Sequence, residues 1–467
     1  MKDNPARLIT VGILPLARAT FDVPYAQERF DAMCGALGRA AVATVGPRAL
    51  LFDAEAARQA IAELQAAEPD HILVLQVTFT DALIAAEAAR AFRCPLSIWA
   101  IPEPRAGGRL RLNSFCGLNL AAHAVGLAGR EFGYLLAAPD APGIDEALAE
   151  LLSGKRNAVP RPSRAPREGR KAGADAAACL RGARIARIGE HPDGFDTCAY
   201  DAGRLAALAG VSVDEIDLSR LFSRARSVAD ASAVRVEAEH IAGGLDAVDQ
   251  QQLDRSLRLK AALQDIGQQG GYDAFAIRCW PETFTEYGGA VCGPVAMMGE
   301  ARVPCACEAD VYGALTTLLL QRVAGAPAFL ADLVDLDTAD DTGVVWHCGQ
   351  APVSMADPAS LPRATIHTNR RMPLLFEFPL RPGRVTFLRI SQARGKVTAV
   401  IGGGEMLARP MAFTGTSGVV RFDRGADAVL RTVMDGALEH HMALAYGDHR
   451  AALEGAAGAL GIPVMDL

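Results

Sequence analysis

Three side chains of the types that bind divalent cations lie in or beside successive apolar segments. Glu308 ends the run VPCAC and precedes a segment with helical periodicity, Asp332 lies within FLADLVDLD, and His347 ends the strand-like segment GVVWH. In open α/β sheets, ligands bind at the carboxyl ends of the strands. Carboxylate oxygens with one or two imidazoles suit Mn²⁺, Mg²⁺ or Co²⁺ better than the thiolate-rich sites of structural zinc. The pattern therefore predicts a site for a hard divalent cation.

The same residues also have a structural interpretation. A carboxylate at Glu308 could neutralise the N-terminus of the following helix, a contribution of about 0.3–1 kcal/mol. Asp335 and Asp337 lie on the opposite strand face from Asp332, and the period of two does not decide which face is interior. Helix caps and a buried, hydrogen-bonded histidine therefore remain an alternative to a metal site.

Histidines are concentrated in the C-terminal stretch EHHMALAYGDH. Side chains of adjacent residues point in different directions from a regular backbone, so we expect at most one of His440 and His441 to reach a shared site. We expect His449 in a polar, exposed turn or helix start. The alternative is that the whole cluster is solvent-exposed.

The composition is typical of a multi-domain globular protein. The 467 residues favour two or three domains; half of them are apolar and 22% are charged. No long apolar run predicts a membrane span, and the net charge of -7 provides no basic surface for nucleic acid. The segment MKDNPARLITVGILPL lacks a small-residue cleavage pattern, which favours a cytoplasmic location.

Ten cysteines are scattered along the chain rather than spaced as a disulfide scaffold, so we expect most to be reduced and buried. Cys305 and Cys307 form a C-x-C pair, but no second pair has zinc-finger spacing. Structural zinc is therefore not favoured.

The order of segments predicts an α/β fold: two doubly wound parallel-sheet domains, then a β-rich C-terminal domain. Residues 1–153 alternate strands and helices, and the alternation resumes in residues 179–345, which carry the acidic site. Residues 154–178 between them are basic and almost free of large apolar groups, which predicts a linker or a mobile loop. In residues 346–467 frequent turn residues predict an antiparallel sheet or small barrel, with a terminal helix.

Several segments together resemble one known family. The segments VGILPLARATFDVPYAQE, QVTFTDA, RLRLNSFCGLNLAAH, RCWPE, CACEADVYGAL and EHHMALAYGDH are similar to the L-fucose and L-arabinose isomerase superfamily, particularly its divergent fucose-isomerase-like branch. The resemblance spans nearly the whole chain and implies two α/β domains with a β-rich C-terminal domain. It also implies Mn²⁺-dependent aldose–ketose isomerase activity and a homo-oligomer (dimer, trimer or hexamer) with active sites at subunit contacts.

The resemblance assigns roles to individual residues. Glu308 and Asp332 match the two metal-binding carboxylates, and His441 resembles the C-terminal metal histidine. His347 resembles a further histidine of the arabinose branch that the fucose branch does not need as a ligand. Mn²⁺ is the implied cofactor, with Mg²⁺ or Co²⁺ as alternatives. The chain is shorter than typical fucose isomerases, so the sugar stays open.

Other polar residues of these motifs are candidates for binding the sugar. Trp280 could simply pack, and the Asn-Ser pair at 113–114 could form only a turn. The N-terminal candidates would reach a neighbouring subunit's site if the family architecture holds. The candidate substrate-binding residues are Arg18, Asp22, Asn113, Ser114, His123, Arg278, Trp280 and Glu282.

The implied reaction moves hydrogen between C1 and C2 of a monosaccharide. A cis-enediol route requires a base, an acid and positive charge, which Glu308 and Asp332 beside one cation supply; a metal-assisted hydride shift fits the same residues. The substrate is a pentose or deoxyhexose, or an anionic sugar such as the sulfonated hexose sulfoquinovose. An enzyme acting on a sugar acid or a branched-chain sugar remains an alternative, as does a non-catalytic sugar-binding protein, although a pure binder has no need for two acids.

Overall fold

The computed structural model describes residues 8–467, so the first seven residues of the N-terminal segment assessed above lie outside the described residues. The predicted fold class is confirmed, because two parallel sheets precede a large, mostly antiparallel sheet. Within residues 8–467, no helix combines the length and apolar character needed to cross a membrane.

The first sheet is parallel and has five strands in the order β2-β1-β3-β4-β5. Every residue of β3, HILVLQ, is buried, as expected for a parallel strand with helices on both faces. The strands are β1 (Ile9–Leu16), β2 (Val42–Val45), β3 (His71–Gln76), β4 (Leu96–Ala100) and β5 (Gly133–Leu136). The helices are α1 (Val23–Arg39), α2 (Ala54–Ala67), α3 (Leu83–Ala91), α4 (Ser114–Leu127) and α5 (Ile144–Leu152).

The second sheet is also parallel and has four strands in the order β7-β6-β8-β9. Its strands are β6 (Arg184–Ile188), β7 (Ser212–Ile216), β8 (Ala274–Ile277) and β9 (Cys305–Ala306). The helices of this part of the chain are α6 (Lys171–Ala178), α7 (Ala202–Ala209), α8 (Leu218–Ser227), α9 (Ser232–Ile241), α10 (Gln250–Gly270), α11 (Cys292–Glu300) and α12 (Val311–Ala324).

The third sheet has nine strands in the order β12-β13-β16-β11-β10-β17-β14-β15-β18, and β15 also pairs with β16. Most neighbours are antiparallel, whereas β13–β16 and β15–β18 are parallel. The strands are β10 (Phe329–Asp337), β11 (Thr342–His347), β12 (Arg363–Thr365), β13 (Leu375–Pro379), β14 (Gly383–Ser391), β15 (Thr398–Met406), β16 (Thr416–Phe422), β17 (His441–Tyr446) and β18 (Val464–Asp466), with helices α13 (Ala426–Gly436) and α14 (Arg450–Leu460).

Strands β10 and β11 differ from the sequence-based assignment, which placed both in the second α/β unit. They form an antiparallel hairpin within the nine-stranded sheet, and β10 also pairs antiparallel with β17. The four residues 338–341 join the two strands, a connection too short for the crossover that parallel strands need. The strand that carries Asp332 therefore belongs to the same sheet as the strand that carries His441.

The segment 154–178, predicted as a linker or mobile loop, packs against the C-terminal part of the chain. The Arg164 N–H donates to the Val464 carbonyl at 2.8 Å, and its guanidinium forms ion pairs with Glu454 and Asp466. Helix α6 lies so close to α14 that a Cβ at Gly173 would overlap the backbone carbonyl of Ala452. Backbone packing and ion pairs thus fix a segment that has few large apolar groups.

Helix α12 connects the second sheet to the third. Its residues are nearly all buried, and the same hydrophobic cluster includes Leu315 of α12, Ala276 of β8, Leu388 of β14 and Ala443 of β17. A helix that is apolar on all sides is typically packed on all sides. The start of α12, three residues after Glu308, is therefore held close to the first residues of β17.

Candidate active site

The register of the nine-stranded sheet brings two of the predicted residues together. Asp332 of β10 is paired directly with His441 of β17, and opposite residues in adjacent strands point to the same face of a sheet. The Nε2 atom of His441 lies 3.4 Å from Oδ1 of Asp332. Strand pairing alone therefore explains how residues distant in sequence meet.

Glu308 approaches this pair from the loop between β9 and α12. Its Oε2 atom lies 3.7 Å from Nε2 of His441. Its Oε1 atom accepts a hydrogen bond from Nε1 of Trp280 at 3.1 Å. The backbone of Glu308 is left-handed, with φ of 57°, a conformation that is unfavourable for a residue with a Cβ and clusters at functional sites.

These atoms fit a hard divalent cation. The Oδ1 of Asp332, the Nε2 of His347 and the Nε2 of His441 are buried and lack a hydrogen-bond partner among the described residues. One ligand atom from each of these residues lies within 4.8 Å of the others. Octahedral Mg²⁺ with bonds of about 2.1 Å places adjacent ligand atoms about 3 Å apart. Oδ1 of Asp332 and Nε2 of His441, 3.4 Å apart, are buried acceptor atoms that a cation would satisfy. Nδ1 of His347 accepts from the N–H of Cys348 at 2.9 Å, which places the proton of the neutral His347 ring on Nε2.

Both adjacent histidines reach the site, although the sequence suggested at most one. Nε2 of His440 donates to Oε2 of Glu308 at 3.0 Å, and the centroids of the His440 and His441 rings are 3.9 Å apart. His440 precedes the first residue of β17, so the strict alternation of a strand does not apply to the pair. The imidazole of His440 lines the pocket.

Asp310, which contacts His441, was not identified from the sequence. Its Oδ2 atom lies 2.9 Å from Nδ1 of His441, and the same carboxylate forms two hydrogen bonds with the guanidinium of Arg389. Although burial raises the pKa of Asp310, Arg389 and His441 together hold it well below its usual range. The position of Asp310 two residues after Glu308 was the only available signal.

Glu308 is held in its ionised form. Burial raises its pKa, but the hydrogen bond and charge of His440, the charge of His441 and the hydrogen bond from Trp280 outweigh burial and lower the pKa to about 2. A carboxylate that stays charged throughout the neutral range is suited to holding a cation.

One disulfide lies beside these groups. It joins Cys279 and Cys307, the residues that immediately precede Trp280 and Glu308. The two partners of the indole-to-carboxylate hydrogen bond are thereby linked covalently. The other eight cysteines are free, as expected for most of them.

Two arginines face the same pocket. The guanidinium carbon of Arg370 lies 4.9 Å from the ring centroid of Trp280, and that of Arg18 lies 5.5 Å from it. Arg18 forms an ion pair with Asp81 at 2.7 Å. Arg370 has no carboxylate within salt-bridge distance among the described residues, and burial followed by repulsion from Arg18 lowers its pKa. The pocket wall therefore carries a guanidinium without an ion-pair partner among the described residues, which the sequence reasoning missed.

Three of the eight candidate substrate residues line the pocket: Arg18, Asn113 and Trp280. Asn113 has a left-handed backbone with φ of 49°, and its N–H donates to Oε2 of Glu103 at 2.7 Å. Glu103 also accepts from the N–H groups of the two preceding residues. Burial raises the pKa of Glu103 to about 7, against the opposing effect of these hydrogen bonds. Glu103 thus orders the loop that carries Asn113.

The other five candidates do not line this pocket. Asp22 caps α1 and pairs with the guanidinium of a neighbouring arginine. The hydroxyl of Ser114 contacts a backbone carbonyl within the first sheet, and Nδ1 of His123 bonds a backbone carbonyl at 2.8 Å. Arg278 and Glu282 form a bidentate ion pair and line a separate groove beside β6 and β7. Each side chain has a structural partner instead.

Comparison with known proteins identifies the family. The profile of the fucose/sulfoquinovose isomerase N-terminal domain matches residues 12–156, and that of the L-fucose isomerase C-terminal domain matches residues 345–467. A protein of Clostridium sp. (strain MSTE9) is 30% identical over 444 residues, covering 94% of each chain. The chain belongs to the fucose/sulfoquinovose isomerase family and is an aldose–ketose isomerase.

The names of individual relatives are more specific. The Clostridium protein is named sulfoquinovose isomerase. So is a protein of Alkalicoccus urumqiensis that is 28% identical over 98% of this chain and 100% of its own length. A third, from Priestia aryabhattai, has the same name and is 28% identical over 94% of this chain and 95% of its own.

Proposed function

We propose that this isomerase converts sulfoquinovose, or a closely related aldose with a terminal anionic group, to the corresponding ketose with the help of a divalent cation. The observation that carries the proposal is the guanidinium of Arg370, which faces the pocket without a carboxylate partner among the described residues. A buried or half-buried cation without a counter-charge is unfavourable. An anionic group on the substrate would supply that counter-charge.

The surroundings of Arg370 favour a planar or tetrahedral oxyanion over a hydroxyl. Its guanidinium packs against the rings of Trp280 and Phe284, at 4.9 and 5.3 Å from their centroids, so its N–H groups have few protein acceptors. The guanidinium carbon of Arg18 lies 5.5 Å from the centroid of the same indole. A guanidinium can donate two parallel hydrogen bonds to sulfonate oxygens, whereas a neutral hydroxyl accepts weaker, uncharged ones. Two guanidinium groups on one aromatic platform therefore suit a sulfonate.

Mn²⁺ is the proposed cofactor, with Mg²⁺ or Co²⁺ as alternatives. Glu308, Asp332 and His441 would hold it. His347 is a weaker fourth ligand, because its Nδ1 accepts from the N–H of Cys348 at 2.9 Å and the proton of the neutral ring is then on Nε2. When bound, such a cation polarises the sugar carbonyl and stabilises negative charge on the neighbouring oxygens. Oxygen and imidazole donors without thiolates match this class of metal.

Proton transfer is assigned to the two carboxylates. Trp280 fixes one oxygen of Glu308 and His440 the other, so this carboxylate keeps one orientation. Asp332 lines the pocket as well. A positioned carboxylate can remove a proton from C2 and return it to C1. A hydride shift between the same carbons would use the same residues as ligands.

The predictions of a homo-oligomer and of a cytoplasmic location stay part of this proposal. Active sites at subunit contacts would let a neighbouring chain close the pocket near Arg18 and Asn113. Analytical ultracentrifugation of the purified protein tests the oligomer, and a single monomeric species at micromolar concentration would contradict it.

A substrate comparison tests the proposed function. The protein is stripped with a chelator, reloaded with Mn²⁺, and incubated with sulfoquinovose or with 6-deoxyglucose, which lacks only the sulfonate; ketose formation is followed by NMR. We expect kcat/KM to be at least 100-fold higher for the sulfonated sugar, and activity to disappear without metal. Equal or better turnover of the neutral sugar, of L-fucose or of L-arabinose would support a neutral-sugar isomerase instead.

A further inference from the structure

We propose that Asp310, held by Arg389, is a positioning residue that keeps the proton of His441 on Nδ1 and thereby directs the lone pair of Nε2 toward Asp332 and Glu308. The inference deepens the proposed function, because it rests on His441 being a cation ligand. It assigns the ring orientation of that ligand to a pair of residues that do not line the pocket.

The hydrogen bonds of Asp310 determine which atom carries the proton. The carboxylate accepts from Nη1 of Arg389 at 2.6 Å, from Nη2 at 3.2 Å and from the N–H of Gly313 at 2.7 Å. An ionised carboxylate has no hydrogen to donate. The contact of 2.9 Å to His441 therefore requires that Nδ1 be the donor, and in the neutral ring Nε2 must then be the acceptor.

Arg389 fixes Asp310 in turn. Asp310 is 1% exposed and Arg389 is not exposed at all. Nε of Arg389 also lies 3.8 Å from Oε2 of Glu439, so the guanidinium is placed between two carboxylates. Buried ion pairs contribute little net stability because desolvation offsets the attraction, so burial of this pair is poor support for a purely stabilising role.

The other ring nitrogen of His441, Nε2, is the proposed ligand atom. It is buried, lacks a hydrogen-bond partner among the described residues, and lies 3.4 Å from Asp332 and 3.7 Å from Glu308. A histidine ligand that donates its other N–H to a carboxylate has a fixed tautomer and a more basic ligand nitrogen, and loss of such a partner typically costs about 10–100-fold in metal affinity. Asp310 and His441 have this relation.

A simpler role for Asp310 is to cap α12, since it accepts from the N–H of Gly313. The substitution Asp310→Asn separates the two roles. Asparagine is a good helix cap and has the same shape, so its oxygen can still accept from Gly313. Its NH₂ group would replace Oδ2, face His441 and turn Nδ1 into an acceptor, which moves the proton to Nε2. The same change removes the acceptor of Nη1 of Arg389.

The first measurement determines the tautomer of His441 directly. In the metal-free protein at pH 8, ¹⁵N chemical shifts of the imidazoles, assigned to His441 with the help of His441→Gln, report which nitrogen is protonated. We expect the Nδ1–H form in the wild type and the Nε2–H form in Asp310→Asn. A proton on Nε2 of His441 in the wild type, in a neutral or a cationic ring, would overturn the proposal.

The second measurement is Mn²⁺ affinity, determined by calorimetry or by the electron paramagnetic resonance signal of free Mn²⁺. We expect Asp310→Asn to raise Kd by about 10–100-fold, and Arg389→Lys, which replaces a two-pronged donor by a single ammonium, to raise it less. Asp53→Asn, at the cap of α2, is the matched control and should leave Kd unchanged. A change of less than threefold for Asp310→Asn would overturn the proposal. If the wild type shows the Nδ1–H form but no affinity for Mn²⁺, Mg²⁺ or Co²⁺, the proposed cation fails while the hydrogen-bond assignment stands.

Discussion

Removal of the positive charge at Arg370 is the sharpest perturbation of the proposed substrate preference. We expect Arg370→Gln to lower kcat/KM for sulfoquinovose by about 10–150-fold and to lower it much less for 6-deoxyglucose. The size follows from the setting: a hydrogen bond to a charged group contributes about 1.5–3 kcal/mol, and about 1.4 kcal/mol corresponds to a factor of ten. Arg18 cannot fully replace the lost charge, because Asp81 already neutralises it at 2.7 Å.

The ratio of the kcat/KM values for the two sugars separates the effect of the charge from the effect of packing. Glutamine also loses the stacking of the guanidinium on Trp280 and Phe284, but this loss affects both sugars alike. Arg371→Gln is the matched control, since Arg371 is the next residue and is exposed. Both kinetic constants are measured for each sugar with saturating Mn²⁺. Equal losses for both sugars, or a loss of less than threefold for sulfoquinovose, would refute the assignment of Arg370 to the anionic group.

Three further predictions concern the acids and the indole. Glu308→Gln should lower kcat by about 10³-fold or more, since proton transfer alone contributes about 10²–10⁴-fold. His347→Asn should lower kcat by only about tenfold. Equal losses of kcat in steady-state assays would place His347 as close to the reaction as Glu308. Burial raises the pKa of Glu103 from 4.5 to about 7 in the folded protein. Between these two pH values the carboxyl group is ionised in the unfolded chain but still protonated in the native state. The free energy of unfolding of the wild type, relative to that of Glu103→Gln, should therefore fall by about 3 kcal/mol as the pH rises from 4 to 8. A difference between the two proteins in urea unfolding that does not change with pH would contradict this. Trp280→Phe should lower kcat by about tenfold through loss of the hydrogen bond to Glu308. The control Trp99→Phe, which removes an indole hydrogen bond in the first sheet domain, should lower Tm but not kcat. Similar kcat values for Trp280→Phe and the wild type would contradict the prediction.

Residue type was sufficient to find the two acids of the candidate site. Carboxylates are rarely buried without a partner, so Glu308 and Asp332 stand out within apolar segments. The C-terminal histidine required the family resemblance, because EHH by itself does not say which imidazole turns inward. Arg370 gave no signal, since one arginine in a polar loop is ordinary on any surface.

The membership of β10 could not be read from its sequence. An apolar strand buried on both faces has the same pattern in a parallel and in an antiparallel sheet, and only the strand partners distinguish them. The pairing of Asp332 with His441, more than a hundred residues later, is a property of sheet register. The role of Asp310 likewise depends on a guanidinium that approaches from β14.

The sequence by itself determined the kinds of elements, because alternating apolar runs and helical periods can bury their side chains in few ways, and it determined which residues carry suitable ligand atoms. The tertiary structure alone decided which of those atoms meet. It did so by packing α12 between two sheets and by joining β10 to β17. The buried acceptor atoms of Asp332 and His441, beside a guanidinium that has no ion-pair partner among the described residues, exist only where distant segments are in contact.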